Sequence, residues 1–358
     1  MKKICLLKWS IANYDGGAKV AVNLSNELSK KYKVYLVSIN PVSEIKFRID
    51  DNVEVGQLFD KKVYQRNIIS IALNLRKFIK TNKIDIIMNI GLAPNIVLTL
   101  ATLFFNVKKV FCEHTNLKFE LDSKITRFQR YVATRYFDKI VVLTDQDKNY
   151  YIEKYNINDK IIRIYNWIDS DENFHTYNIK SKKIVTVGRF TKQKGYDFLS
   201  EIAINVLSRK KDWQWEIYGL GDEKIKDNLI SKFKDYQISN QVVFKGVTNN
   251  IYDIYNNKSI YAMTSRYEGL PLVLLEAKKF KIPIISFDCP TGPRELIINN
   301  ENGFLINSYN IDNYSDKLLE LIDNEFLRMS MSNKSLLDTN KFEKDIILEH
   351  WIDLIDNL

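Results

Sequence analysis

A chain of 358 residues is long enough for two domains of ordinary size, each with its own core. Its 45% hydrophobic and 12% aromatic content excludes a disordered protein, and three scattered cysteines, Cys5, Cys112 and Cys289, imply neither a disulfide framework nor a metal cluster and fit a reducing compartment. The formal charge of +9 calls for an anionic partner or surface, but no finger spacing or aromatic–basic RNA signature accompanies it, so nucleic acid is not expected.

The opening MKKICLLKWS carries an apolar run, Ile4 to Leu7, that is too short for a secretory signal. Short β-branched runs follow: KKICLLK, KVYLVSI, IDIIMNI, KKVFCEH and DKIVVLT. Each is almost continuously apolar, as a strand covered on both faces should be. Between them lie helical patterns such as Val20, Leu24 and Leu28. The longest apolar stretch, Asn95 to Val107, falls short of the roughly 20 residues that span a bilayer, so a cytoplasmic protein is expected. Lys61 to Lys83 and Lys118 to Phe137 mix apolar and basic residues at near-helical spacing, which suits an anionic membrane face or an ordinary solvated surface.

After KIIRIYN comes a polar stretch without apolar period, and a second cycle of strands begins: KIVTVG, WEIYG, VVFKG, SIYAMTS and IPIISF. The alternation predicts two doubly wound α/β domains with parallel sheets. The expected boundaries are 1–172 for an N-terminal domain, 173–338 for a second, and 339–358 for an amphipathic helix, FEKDIILEHWIDLIDNL, returning to the first. Ligands of open parallel sheets bind beyond the C-terminal strand ends, which places the site in a cleft between the two domains.

Chemistry-bearing residues follow strands. Gly16 and Gly17 precede a helix whose N-terminal amides could meet a phosphate, although such a pair alone is more often just a tight turn. KIVTVGRFTKQKG places Arg189 and Lys194 between a strand and a helix, two cations suited to a diphosphate or to a solvated turn. Gly219 and Gly221 mark another strand-end turn. SRYEGLPLVLLEA reads as a turn and a helix with Pro271 in its first turn. The amides of Gly269, Leu270 and Leu272 then form an anion seat. Leu270 to Glu276 is about 9 Å of helix rise, so Glu268 on the loop and Glu276 in the helix could accept from sugar and ribose hydroxyls at opposite ends of a ligand. The apolar neighbours of Glu276 make an unpaired structural carboxylate costly there. Two Asp-x-Asp strings, Asp145/Asp147 and Asp169/Asp171, are discounted as metal sites. The first reads as a helix start capped by Thr144, its acids complementing the helix dipole.

EGLPLVLLE resembles the Glu-x7-Glu motif of glycosyltransferase family 4, the retaining GT-B glycosyltransferases. DGGAKVAVNLSNEL, VGRFTKQKGYDFL, IYNWID and CPTGPRELIINNENGFLI resemble further motifs of that family in order, with Lys19 and Trp167 as departures. The resemblance implies a GT-B fold and roles for matching residues. Arg189 and Lys194 would bind the donor diphosphate, and Gly17 would approach it from the other domain. Glu276 would hold the ribose; Glu268 with the Gly269–Leu270 backbone would hold the transferred sugar. His114, in FCEHTN, would contact that sugar at the reaction centre, whereas His175 and His350 look like linker and tail. The implied reaction is retaining transfer from a UDP-sugar, without metal or other cofactor, to a saccharide or lipid-linked saccharide acceptor of a surface polysaccharide. Two other readings stay open at this point: a UDP-sugar 2-epimerase of the same architecture, and a non-enzymatic basic protein binding membrane or nucleic acid.

Overall fold

A computed structural model describes residues 1–12, 16–42, 45, 47–64, 66–91, 95–117, 123–167, 177–248, 250–307 and 309–358. The chain divides into two compact units, Met1–Trp167 with Lys344–Leu358, and Ile168–Glu343. The sequence-based boundaries of 172 and 338 lie five residues from these divisions at each point.

The first unit contains β1 (Lys3–Lys8), α1 (Gly16–Leu28), β2 (Lys33–Ser38), β3 (Val53–Gln57), α2 (Ile68–Asn82), β4 (Ile86–Ile90), α3 (Asn95–Ala101), β5 (Lys108–Cys112), α4 (Lys124–Tyr136), β6 (Lys139–Val142), α5 (Asp145–Tyr155) and β7 (Ile161–Arg163). Its sheet is parallel in the order β3-β2-β1-β4-β5-β6-β7. All five residues of β4 are buried, as are the middle four of β1, because helices cover both faces. Leu7, Val37, Ile87 and Phe111 on the strands meet Ile71, Leu75, Leu98 and Ala133 on the helices in one core. Capping side chains start two helices at defined residues: Ser123 accepts from the Thr126 amide at 3.3 Å, and Thr144 from the Asp147 amide at 3.0 Å.

The second unit contains β8 (Lys183–Val187), α6 (Tyr196–Leu207), β9 (Gln214–Tyr218), α7 (Glu223–Asp235), β10 (Val242–Gly246), α8 (Ile251–Tyr255), β11 (Ile260–Met263), α9 (Leu272–Lys279), β12 (Ile284–Phe287), α10 (Pro293–Leu296), β13 (Gly303–Ile306), α11 (Ile311–Asp323) and α12 (Glu325–Asn333). Its parallel sheet runs β10-β9-β8-β11-β12-β13, and Trp215, Ile217, Leu199, Ile285 and Leu318 anchor its core.

The last helix, α13 (Lys344–Asp356), belongs to the first unit. Lys2 Nζ donates to the carbonyl of Ile355 at 2.7 Å, Tyr32 Oη donates to the Asp356 carboxylate at 2.6 Å, and Lys31 pairs with the same carboxylate at 2.7 Å. Ile347, Trp351 and Ile355 supply its buried stripe.

Both sheets reverse their winding direction beside their first strand, between β1 and β4 and between β8 and β11. Such switch points open a crevice beyond the strand ends where the diverging loops leave room for a ligand. In the second unit the loops flanking that crevice are residues 188–195 and 264–271, which hold the Arg-Lys turn and the EGLP turn.

Candidate functional site

Four loops meet at the C-terminal edge of the second sheet, and backbone contacts bind them together. Gly195, between Lys194 and α6, has φ of +66°, and a Cβ there would lie 2.0 Å from the Thr264 carbonyl oxygen. Only glycine meets both demands cheaply, so the turn after β8 can lie flat on the end of β11. Thr264 Oγ1 donates to the Lys194 carbonyl at 3.0 Å, the Arg266 amide to the Gln193 carbonyl at 2.7 Å, and Gln193 Nε2 to the Tyr267 carbonyl at 3.0 Å. Arg266 grips Asp197 at the start of α6 with both terminal nitrogens. On the other side, Gly292 has φ of +89° and packs against the Gly269 carbonyl and Pro271, while Thr291 Oγ1 donates to the Glu268 carbonyl. Gly219 and Gly221 pack against the backbone of Gly188 and Phe190.

This clamp brings Lys194 and Glu268 together across 74 positions of sequence: Nζ donates to Oε1 at 2.7 Å. Glu268 is buried and Lys194 half-buried, with the lysine methylenes lying over Gly188. Arg189, at the end of β8, is exposed. Leu270 is buried and Gly269 half-buried. Pro271 sits at the N-cap of α9 rather than in its first turn, so the helix starts at Leu272. Glu276, one turn further, is half-buried and accepts a hydrogen bond from Tyr255 Oη at 2.8 Å. Tyr255 was not singled out by sequence; it lies on α8, with no local spacing to tie it to Glu276. The expected donor-side group of Arg189, Lys194, Glu268, Gly269, Leu270 and Glu276 is thus placed at one sheet edge of one unit.

His114 lies half-buried in the loop following β5 of the first unit. The residues beside it are held by a buried cluster. Arg130 Nε donates to Glu113 Oε2 at 2.8 Å, Tyr151 Oη donates to the same oxygen at 2.9 Å, and Thr115 Oγ1 donates to Oε1. The Arg130 terminal nitrogens donate to the carbonyls of Asn116 (2.5 Å) and Leu117 (3.1 Å), and Asp147 Oδ1 accepts the Leu117 amide at 2.7 Å. Burial alone would raise the Glu113 carboxyl, but the Arg130 charge and hydrogen bonds from Arg130, Thr115 and Tyr151 outweigh it and hold it below the usual range. Asp147 behaves oppositely: burial, then the Glu113 charge, push it up to about 7. Its Oδ2 has no hydrogen-bond partner among the described residues. Both acids lie in the first turn of α5, as expected of a capped helix start, and Asp147 has a second task. Thr144 does cap α5, but Asp147 turns inward, 2% exposed, to hold the loop of His114. Asp145 pairs instead with Arg163 at 2.8 Å. The cluster was missed because Glu113, Arg130 and Asp147 lie on three different elements.

Gly17 lies in the first turn of α1, after β1. His350 is exposed on α13, while Asp169, Asp171 and His175 lie outside the described residues.

Two family models match the chain: "Glycosyltransferase Family 4" over residues 14–172 and "Glycosyl transferases group 1" over residues 168–336. An uncharacterized glycosyltransferase of Haemophilus influenzae is 31% identical over 98% of this chain and 99% of its own length. An amylovoran biosynthesis glycosyltransferase of Erwinia amylovora is 29% identical over 99% of this chain and 100% of its own. An α-1,4-N-acetyl-D-galactosaminyltransferase of Campylobacter jejuni, named for an undecaprenol-diphosphate-linked saccharide, is 26% identical over 96% of this chain and 95% of its own. Among solved structures, a point mutant of Staphylococcus aureus TarM in complex with fondaparinux, α-GlcNAc-glycerol and UDP superposes with a TM-score of 0.82 at 18% identity, covering 99% of this chain and 100% of that one. These matches set aside the epimerase and non-enzymatic readings. Two Rossmann-like sheets in sequence, the ordered motifs at their strand ends and a full-length relative above 30% identity place the chain in glycosyltransferase family 4, with the GT-B fold.

Proposed function

We propose that the protein moves a hexose or N-acetylhexosamine, with retention, from a UDP-sugar to a hydroxyl of a lipid-linked saccharide. The setting is the cytoplasmic face of a membrane, in assembly of a capsule, O-antigen or lipopolysaccharide. The observation that carries the donor half of this reading is the Lys194–Glu268 pair, which sits on glycine-packed loops at the switch point of the second sheet. A relative acting on an undecaprenol-diphosphate saccharide and one of amylovoran biosynthesis support the acceptor half.

In this reading Arg189 and Lys194 neutralise the donor diphosphate, the task a divalent cation performs in metal-dependent transferases. Glu276, oriented by Tyr255, accepts from the ribose hydroxyls. A carboxylate has about four acceptor sites, enough for Glu268 to hold Lys194 and accept sugar hydroxyls together. The bond between the anomeric carbon and the β-phosphate oxygen breaks, and UDP leaves with the electron pair. The acceptor oxygen bonds to the anomeric carbon on the same face and passes its proton to the departing phosphate. Gly17 is assigned to the diphosphate and His114 to the transferred sugar.

The test is a panel of UDP- and GDP-sugars assayed for hydrolysis and transfer, with UDP titrated calorimetrically. Wild type should bind UDP, and Arg189→Ala and Glu268→Ala should each lose about a hundredfold or more in transfer rate. Full transfer by both variants, or no UDP binding by wild type, would sink the reading.

A further inference from the structure

Three consecutive helices of the first unit, α2, α3 and α4, contain no Asp or Glu, although carboxylates make up 44 of the chain's 358 residues. In the second unit, by contrast, α6 carries Asp197 and Glu201, and α7 carries both signs, with Glu223, Asp227 and Asp235 among its lysines. Right-handed crossovers that progress in one direction along a sheet put their helices on one face, and α3 packs against α2 on one side and α4 on the other. Hydrogen bonds join the three. Arg76 of α2 donates to the carbonyls of Ala101 and Leu103 at 3.3 and 2.7 Å, and Gln129 of α4 accepts the Ile96 amide at 2.9 Å.

The outer side of this layer is apolar where a solvated layer would be polar. Ile69 is 74% exposed, Ile125 65% and Phe104 90%, with Leu73, Phe128 and Tyr131 also more than half exposed. Phe104 has φ of +67°, a left-handed conformation that costs free energy for a bulky residue, and here it presents the ring to the outside. Lys77, Lys80, Lys124, Arg127 and Arg135 are exposed on the same helices. Exposed apolar side chains and cations on the same helices, with no carboxylate among them, match the acyl boundary and phosphate layer of an anionic bilayer. A nucleic acid would use the cations but leave Ile69, Leu73 and Ile125 without an apolar partner.

We infer that the outer face of α2, α3 and the turn after it, and α4 is a docking surface for an anionic lipid bilayer. The apolar residues enter the headgroup boundary while the lysines and arginines lie at the phosphates. This gives the surface behind the lipid-linked acceptor proposed above, and its sense rests on that reading. The vesicle measurement does not depend on it.

The full chain is sedimented with vesicles of equal phosphatidylglycerol and phosphatidylcholine, and with phosphatidylcholine alone, at low and high salt. Wild type should partition onto the anionic vesicles, weakly onto the neutral ones, and come off with salt. Leu73→Glu/Phe104→Glu and Ile125→Glu/Phe128→Glu should each weaken partitioning about tenfold or more. Lys77→Glu/Lys80→Glu, which alters only exposed charge, should weaken it by about fivefold per cation. UDP affinity and melting temperature should stay at wild-type values in all three. The inference is overturned if wild type ignores anionic vesicles at low salt, if the variants partition as wild type does, or if light scattering shows a wild-type dimer that the variants abolish. A chain that binds vesicles but not UDP would instead remove the donor reading and leave this one standing.

Discussion

Replacing Arg130 with methionine strips the loop of His114 of its principal support. Arg130 is fully buried and makes bonds to the Glu113 carboxylate and to the carbonyls of Asn116 and Leu117. The variant leaves Glu113 buried with hydrogen bonds from Thr115 and Tyr151 but no counter-charge. Removing one partner of a buried ion pair costs about 3–5 kcal/mol. At about 2–4 °C of melting temperature per kcal/mol for a unit of this size, the drop should lie roughly between 6 and 20 °C. The pair itself contributes much less than this, because its attraction mainly offsets the desolvation of two charges. Glu113→Gln/Arg130→Met should therefore recover much of the loss. Thermal unfolding of the two single variants and the double variant closes the cycle. UDP affinity, a property assigned to the second unit, should remain within about twofold while the transfer rate falls, because the displaced group is His114. A single-variant loss below about 1 kcal/mol, or a double variant worse than the sum of the singles, would refute the buried-pair reasoning.

Asp147 sets a pH dependence. Its folded-state value of about 7 lies above the ordinary 3.8, so the folded chain holds this proton longer than the unfolded chain. Stability should fall as pH rises from about 4 to 7, by a contribution on the order of 4 kcal/mol, and stay lowered above that range. Asp147→Asn can still accept the Leu117 amide and should flatten this slope in denaturant titrations; an unchanged slope would count against the assignment. Gly195→Ala forces a Cβ onto the Thr264 carbonyl at a left-handed φ and should reduce UDP affinity by tenfold or more, whereas Gly188→Ala meets only the flexible Lys194 side chain and should cost far less. Tyr255→Phe removes the hydroxyl on Glu276 and should weaken UDP binding about five- to tenfold by calorimetry, an effect that vanishes in the Glu276→Ala background. Transfer should survive excess EDTA undiminished, and metal-restored activity would contradict the role given to Arg189 and Lys194.

The strands legible in the sequence are the ones covered on both faces. The middle of KICLLK and all of IIMNI are buried, and both read as nearly continuous apolar runs, broken in the second only by Asn89. β3 (VEVGQ) and β13 (GFLI) were not anticipated as strands. Both are edge strands, and β3 is largely exposed, so neither has a long apolar run. The Arg189–Lys194 and EGLP turns were legible because each is a contiguous stretch in which a strand end, a glycine and charged residues follow one another. Glu113, Arg130 and Asp147 were opaque for the opposite reason. A buried charge is recognised by its partner, and the partners sit on the loop after β5, on α4 and on α5.

By itself, the sequence determined two wound α/β units and a family, because alternating apolar periods and strand-end glycines are local properties of the chain. Tertiary structure alone decided which local features meet. It laid β8 beside β11, so that Lys194 reaches Glu268, and α8 beside α9, so that Tyr255 reaches Glu276. It also set three acid-free helices side by side on one face. Those meetings depend on strand order and crossover hand, which act over tens of residues and leave no mark on any single stretch.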